Sequence, residues 1–188
     1  MTDDKDALEL ITQLRLDLNE RDQELLLNDV EITGLEEKSG ENSTHLIMSL
    51  AKKLGADLDE RDIVSVARSG PRRIAADSGE RPPRPRPLVV RLARRSVRDT
   101  LLRAARVRRG TDSSGITDTE PRRVYVNERL TGTNRQLFYK TREECRRHGW
   151  RFSWTKNGRI YVRKNDSSEI RRIRSSSDIE KFFGVCMV

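Results

Sequence analysis

The sequence predicts an α+β protein: an N-terminal helix, a central unit in which strands and helices follow the order β-α-β-β-α-β, and a smaller α+β unit carrying a β-hairpin. Three observations predict it. Residues 1–28 contain no Gly or Pro, which suits one uninterrupted helix. Short β-branched runs at 30–35, 63–67, 88–92 and 124–126 are separated by two segments with helical apolar spacing. All nine aromatic residues fall at or after Tyr125, so the two units must build cores of different character.

The first helix is expected over residues 5–28. Ala7, Ile11, Leu14, Leu18 and Leu25 step by fours and threes, the a/d spacing of a coiled coil, with Arg21 and Asn28 weakening the seam. Ile11, Leu14, Leu18 and Leu25 are therefore the expected oligomerisation residues. The other reading is an amphipathic helix packed on its own domain.

The run 30–35 (VEITGL) alternates and reads as a strand. Asn42-Ser43-Thr44 offers an N-cap for a helix with Leu46, Ile47, Leu50 and Leu54 on one face and Gly55 as its stop. A second strand covers 63–67. The stretch 70–87 holds five of the six prolines and five arginines and reads as a disordered or polyproline-like basic loop. The third strand is 88–92 (LVVRL). Ser96 is placed to cap a helix over 97–108 with Val97, Leu101, Leu102 and Ala105 inward. A flexible connector over 110–120 leads to a fourth strand at 124–126. This order is the split βαβ, ferredoxin-like arrangement. One face of such a sheet is open, and in RNA-recognition modules that face binds RNA.

In the last unit, 137–147 reads as a helix stopped by Gly149. Residues 150–154 form a strand, Asn157-Gly158 a two-residue hairpin turn, and 159–163 the returning strand. Ser177 or Asp178 is expected to cap a final short helix. Most of Trp150, Phe152 and Trp154 is expected in the core. Tyr161, between Arg159 and Arg163, is the expected exposed stacking residue. The domain boundaries that follow are 1–28, 29–126 and 127–188.

Charge carries the functional reading. Residues 1–67 hold 7 Lys/Arg against 17 Asp/Glu, residues 68–110 hold 14 against 3, and residues 111–188 hold 17 against 10. A basic excess made mostly of arginine suits phosphate and stacks on bases. Three sets stand out: the loop set Arg72, Arg73, Arg81, Arg84 and Arg86; the strand–helix set Arg91, Arg94, Arg95 and Arg98; and the hairpin set Arg151, Lys156, Arg159, Arg163 and Lys164. The expected nucleic-acid contacts are Arg91, Arg94, Arg95, Arg98, Arg135, Arg151, Lys156, Arg159 and Arg163, with Tyr161 stacking on a base.

Other chemistry finds little support. Cys145 and His148 are too few for a metal site. With two histidines in the chain no nucleophilic triad is arguable, and no phosphate-binding glycine loop is present. No run approaches the roughly 20 apolar residues of a membrane helix. The acidic N-terminus carries no secretory signal, and two cysteines do not make a disulfide scaffold. The expectation is a non-enzymatic protein with no metal, cofactor or small-molecule substrate, located in the cytoplasm with the nucleus as the alternative. Its partners would be single-stranded RNA or DNA and further copies of itself, as dimer or trimer.

Two stretches resemble known families. Residues 28–36 (NDVEITGLE), following the helix, look like the start of the RRM-type domain in the first-open-reading-frame proteins of LINE-type retrotransposons. Asn127-Glu128-Arg129-Leu130-Thr131, Asn134-Arg135, Leu137-Phe138, Arg142 and the run 150–163 (WRFSWTKNGRIYVR) resemble the C-terminal domain of the baculovirus few-polyhedra (FP) proteins and their insect retroelement relatives, as do Ile173, Ser175, Ser177, Asp178 and Ile179. The resemblance implies a coiled coil, a noncanonical RRM and a small C-terminal domain. In the retroelement proteins it further implies oligomers that coat RNA and act as nucleic-acid chaperones. In the FP proteins it implies a role in virion envelopment and occlusion. The third strand, LVVRL, lacks the aromatic residues of a typical RRM, so binding there would be driven by phosphate and weakly sequence-specific.

Overall fold

The structure, a computed structural model, describes residues 2–71 and 84–184, with side chains from Asp4 onward. The chain is mixed α+β, with an N-terminal helix and two antiparallel sheets. It divides into two units: residues 28–129, and residues 1–27 together with 130–188.

In the first of these, β1 (Asp29–Thr33), α2 (Ser43–Leu54), β2 (Ile63–Arg68), β3 (Leu88–Leu92), α3 (Arg95–Val107) and β4 (Tyr125–Glu128) follow one another. The strands lie in the order β2-β3-β1-β4. Side chains alternate between faces along each strand. Val30, Ile32, Leu88, Val90 and Leu92 therefore point together into a core completed by Ile47, Leu50, Leu54, Leu101 and Leu102 from the two helices. The Asn42 side chain accepts the His45 N–H at 3.0 Å, and Gly55 ends α2 at φ +71°. Ser96 does not cap α3; the helix starts at Arg95 with Arg94 in the cap position and no side-chain cap bond.

One further expectation for this unit changes. The connector over 110–120 is tied down rather than flexible. The Lys53 ammonium donates to the Asp112 carboxylate at 2.6 Å and to the Ser114 carbonyl at 2.7 Å, and Ser113 is buried. Most of the loop expected at 70–87, including Arg72, Arg73 and Arg81, lies outside the described residues.

In the other unit, α4 (Gly132–Arg147) and α5 (Ser176–Phe183) cover one face of the sheet β5 (Phe152–Lys156), β6 (Arg159–Arg163) and β7 (Arg171–Ile173). Its core is Leu137, Cys145, Ile160, Val162, Ile173, Ile179 and Phe183, with Trp150 packed on Phe183 at 4.7 Å between ring centres. The hairpin turn has positive φ at both Asn157 (+53°) and Gly158 (+72°), the combination that matches strand twist in a two-residue loop. Ser175, not Ser177 or Asp178, caps α5; Asp178 returns the bond from inside the helix, closing a capping box. β7 was not legible from its three residues.

α1 (Thr2–Glu24) ends earlier than expected, leaving Leu25 in a turn. Its last turns belong to this second unit. Asn19 accepts from the Thr131 hydroxyl at 2.8 Å and donates to Asn134 at 2.9 Å, while the Gln23 carbonyl accepts from the Thr131 N–H at 3.1 Å and from Asn134 at 3.0 Å. Glu20 pairs with Arg172 of β7.

Candidate nucleic-acid interface

The hairpin sets the geometry of the C-terminal sheet. Its two-residue turn pairs Lys156 with Arg159, Trp154 with Tyr161 and Phe152 with Arg163. Tyr161 in turn pairs with Arg172 of β7. Directly paired residues share a face. Since Ile160 and Val162 point to the helices, the outer face carries Phe152, Trp154, Lys156, Arg159, Tyr161, Arg163 and Arg172. Only Trp150 of the three expected core aromatics packs on the core; Phe152 and Trp154 belong to the outer face, half-buried by their neighbours.

Those neighbours are each other. Trp154 and Tyr161 stack at 5.8 Å between ring centres with 21° between planes. The Arg163 and Arg151 guanidinia stand 4.7 and 5.3 Å from the Phe152 ring centre, within cation–π range. The same two arginines share one carboxylate, Asp166, at 3.3 and 2.8 Å. Lys156 and Arg159, at the turn end, are exposed and have no partner among the described residues. Arg135 is exposed in the first turn of α4. Together these offer flat apolar rings edged by cations, a surface that can hold bases by stacking and phosphates by charge.

The strand–helix set behaves differently. On the face of the four-stranded sheet turned from the helices, Arg91 donates Nε and Nη2 to Asp29 at 2.8 and 3.1 Å, and the carboxylate raises the guanidinium above its ordinary pKa. Arg129 on that face pairs with Glu31. Arg94 reaches Asp62 at 2.6 Å. Arg95 is exposed. Arg98 is 1% exposed, its guanidinium bonded to Asp99 at 2.7 Å and Glu128 at 3.1 Å. The expectation that Arg98 contacts phosphate is corrected: it is a core ion pair joining α3 to β4. Its spacing held the signal, because Arg98 precedes Leu101 and Leu102 by three and four residues on the inward stripe of α3.

Sequence reasoning missed Arg68 altogether. At the end of β2 its guanidinium spends all five donors, on the Glu41 carboxylate (2.7 and 2.8 Å) and the backbone carbonyls of Leu35, Glu36 and Arg86 (2.7–2.9 Å). Burial pushes the Glu41 carboxyl up, but the bonds from Arg68 and the Lys38 N–H outweigh it and hold the group below its ordinary value.

Of the expected oligomerisation residues, Ile11, Leu14, Leu18 and Leu25 are 47%, 57%, 61% and 74% exposed. At 3.6 residues per turn, Asn19, Glu20 and Gln23 lie on another side of α1 from Ile11, Leu14 and Leu18. The helix thus docks by its polar side and leaves its apolar stripe open. No helix is long and apolar enough to cross a membrane, and no cluster of metal-ligating residues forms among the described residues.

Among known families, residues 131–183 fit the family model of baculovirus FP protein domain 2. That segment runs from Thr131, the N-cap of α4, to the end of α5, and so contains the three-stranded sheet and its outer face. A search of curated proteins found no match.

Proposed function

We propose that this chain binds and coats single-stranded nucleic acid, RNA foremost, with weak sequence preference and without catalysis. The single observation that carries the reading is the outer face of β5–β6–β7, where Phe152, Trp154 and Tyr161 alternate with Lys156, Arg159 and Arg163. Residues 130–188 hold 14 Lys/Arg against 6 Asp/Glu, so the field around that face favours a polyanion. The central unit, with its β-α-β-β-α-β order and β2-β3-β1-β4 sheet, is read as a noncanonical RRM-like, ferredoxin-like domain. Its sheet face lacks stacking residues at β1 and β3, so its contribution would be phosphate contact through Arg94 and Arg95. The open stripe of α1 would associate copies into a dimer or trimer, which multiplies weak sites along one strand. A retroelement-type ribonucleoprotein or chaperone role in the cytoplasm or nucleus follows from the resemblance given above.

The match to FP domain 2 favours a second reading: a non-enzymatic adaptor of the FP type, acting through protein partners in virion envelopment. One titration separates them. The intact chain is mixed with a labelled single-stranded RNA of about 30 nucleotides, several site sizes long, and salt is raised. Binding with a steep log–log salt slope is expected. No binding at low salt would overturn the coating reading in favour of the adaptor.

A further inference from the structure

The unit of residues 28–129 holds a feature that the hairpin reading does not use. At the ends of β1, β2 and β3, beside the segment that leads into β4, a cleft of about 750 Å3 opens to solvent. Small-ligand sites commonly run from about 300 to 1,000 Å3. Both walls are held by the backbone. On one, Arg68 pins the Arg86 carbonyl at 2.7 Å, the Ser69 N–H donates to the Pro87 carbonyl at 2.8 Å, and Arg86 donates to the Gly70 carbonyl at 2.7 Å. On the other, the Arg122 N–H donates to the Ser113 hydroxyl at 3.0 Å and its carbonyl accepts from the Ser113 N–H at 2.9 Å. The walls meet at Gly34, where φ is +96° and a Cβ would stand 2.1 Å from the Arg123 carbonyl oxygen. Only glycine permits that approach.

The lining is one-sided in charge. Among the described residues it includes Arg84, Arg86, Arg122 and Arg123 and no carboxylate. Arg86 is committed to Glu37. The guanidinia of Arg84 and Arg122 are exposed and have no partner among the described residues. Arg123 stands over the Tyr125 ring at 5.4 Å, and Tyr125 is 50% exposed. Pro71, Pro85 and Pro87 add apolar wall. Fixed apolar walls, two unanswered guanidinia and an open aromatic face match a molecule with a phosphate at one end and a flat ring at the other.

We propose that this cleft binds a nucleoside phosphate, with the phosphate on Arg84 and Arg122 and the base against Tyr125. The source is either a free mononucleotide or the phosphorylated end of a strand. The site is separate from the outer face of the hairpin sheet and stands if that reading fails.

The test is amide NMR of the intact chain titrated with AMP, adenosine and inorganic phosphate in parallel. Saturable shifts at Tyr125, Arg122 and Arg123 with AMP are expected. The joint R84A/R122A substitution should weaken AMP at least about tenfold, as loss of charge-assisted bonds does. Adenosine and phosphate should each bind more weakly than AMP. A phosphorylated dinucleotide that outbinds AMP assigns the site to strand ends; one that does not assigns it to free nucleotides. Equal affinity for AMP and inorganic phosphate, unchanged binding in R84A/R122A, or no saturation with AMP would each overturn the proposal. Because both substituted arginines are exposed, an unchanged spectrum away from the cleft verifies that the variant is folded.

Discussion

On the outer face of the four-stranded sheet Arg91 lies against Asp29 and Arg129 against Glu31. On the outer face of the three-stranded sheet Arg151 and Arg163 divide a single carboxylate, Asp166, and both stand over Phe152. The two faces hold opposite chemistry. In the first, each cation is cancelled by its own anion, so little field remains to draw a phosphate. In the second, aromatic rings occupy the places where carboxylates could sit, and the guanidinia keep part of their charge for a ligand. A count of arginines therefore misjudges an interface; what matters is which of them already have a carboxylate.

The largest effect expected from breaking this contrast is on stability. Arg68→Met leaves the Glu41 carboxylate in a site where its side chain is 13% exposed and without its main partner. A loss of about 3–5 kcal/mol in the unfolding free energy of that unit is expected by denaturant titration. A smaller loss would mean that Glu41 finds water or another cation.

Next comes binding. Trp154→Ala should weaken the single-stranded RNA by about tenfold, the scale of one lost base stack, whereas Arg91→Ala should change it little. Equal losses would erase the distinction between the two faces. Below that in size lies the salt dependence. Arg159→Ala should lower the log–log slope by about 1 with no change of sequence preference, and Arg98→Lys should leave the slope as it is.

The acid response is smaller still. The Glu41 carboxyl is held below its ordinary value of 4.5 in the folded chain. The stability it contributes is complete above that ordinary value and is lost as pH falls through the lowered one. Thermal unfolding should therefore lose more on acidification in the parent chain than in Glu41→Gln. The opposite ranking would show that burial, not Arg68, governs the group. The smallest effect is chemical: burial pushes the Cys145 thiol up to about 11. In a Cys186→Ser background, thiol reagents near neutral pH should therefore react only after denaturant is added.

The face of Trp154 is encoded in the sequence. A two-residue Asn157-Gly158 turn pairs position 154 with 161, and 160 and 162 are the aliphatic positions of the returning strand. Trp154 must then lie opposite the core. Size alone argued for burial and gave the wrong side. Arg98 was misjudged for the converse reason: its charge outweighed its place on the apolar stripe of α3. The four strands and two helices of the central unit follow from apolar period together with β-branched runs and cap residues, because local burial patterns repeat at 2 or 3.6 residues. The three residues of β7 are too few to carry such a period.

The sequence by itself determined the α+β class, the order of the strands and helices in the central unit, the hairpin turn and the segregation of acid and basic charge. Each depends on neighbours a few residues apart, where backbone preference and side-chain period act. Only the tertiary structure decided which arginines are answered by carboxylates. Arg68 meets Glu41, Arg91 meets Asp29, and Arg172 meets Glu20 across 27, 62 and 152 positions of chain. It also decided that the last turns of α1 belong with the C-terminal sheet. Such pairings are set by how elements stack, and no period in the chain encodes the distance between two residues that folding brings together.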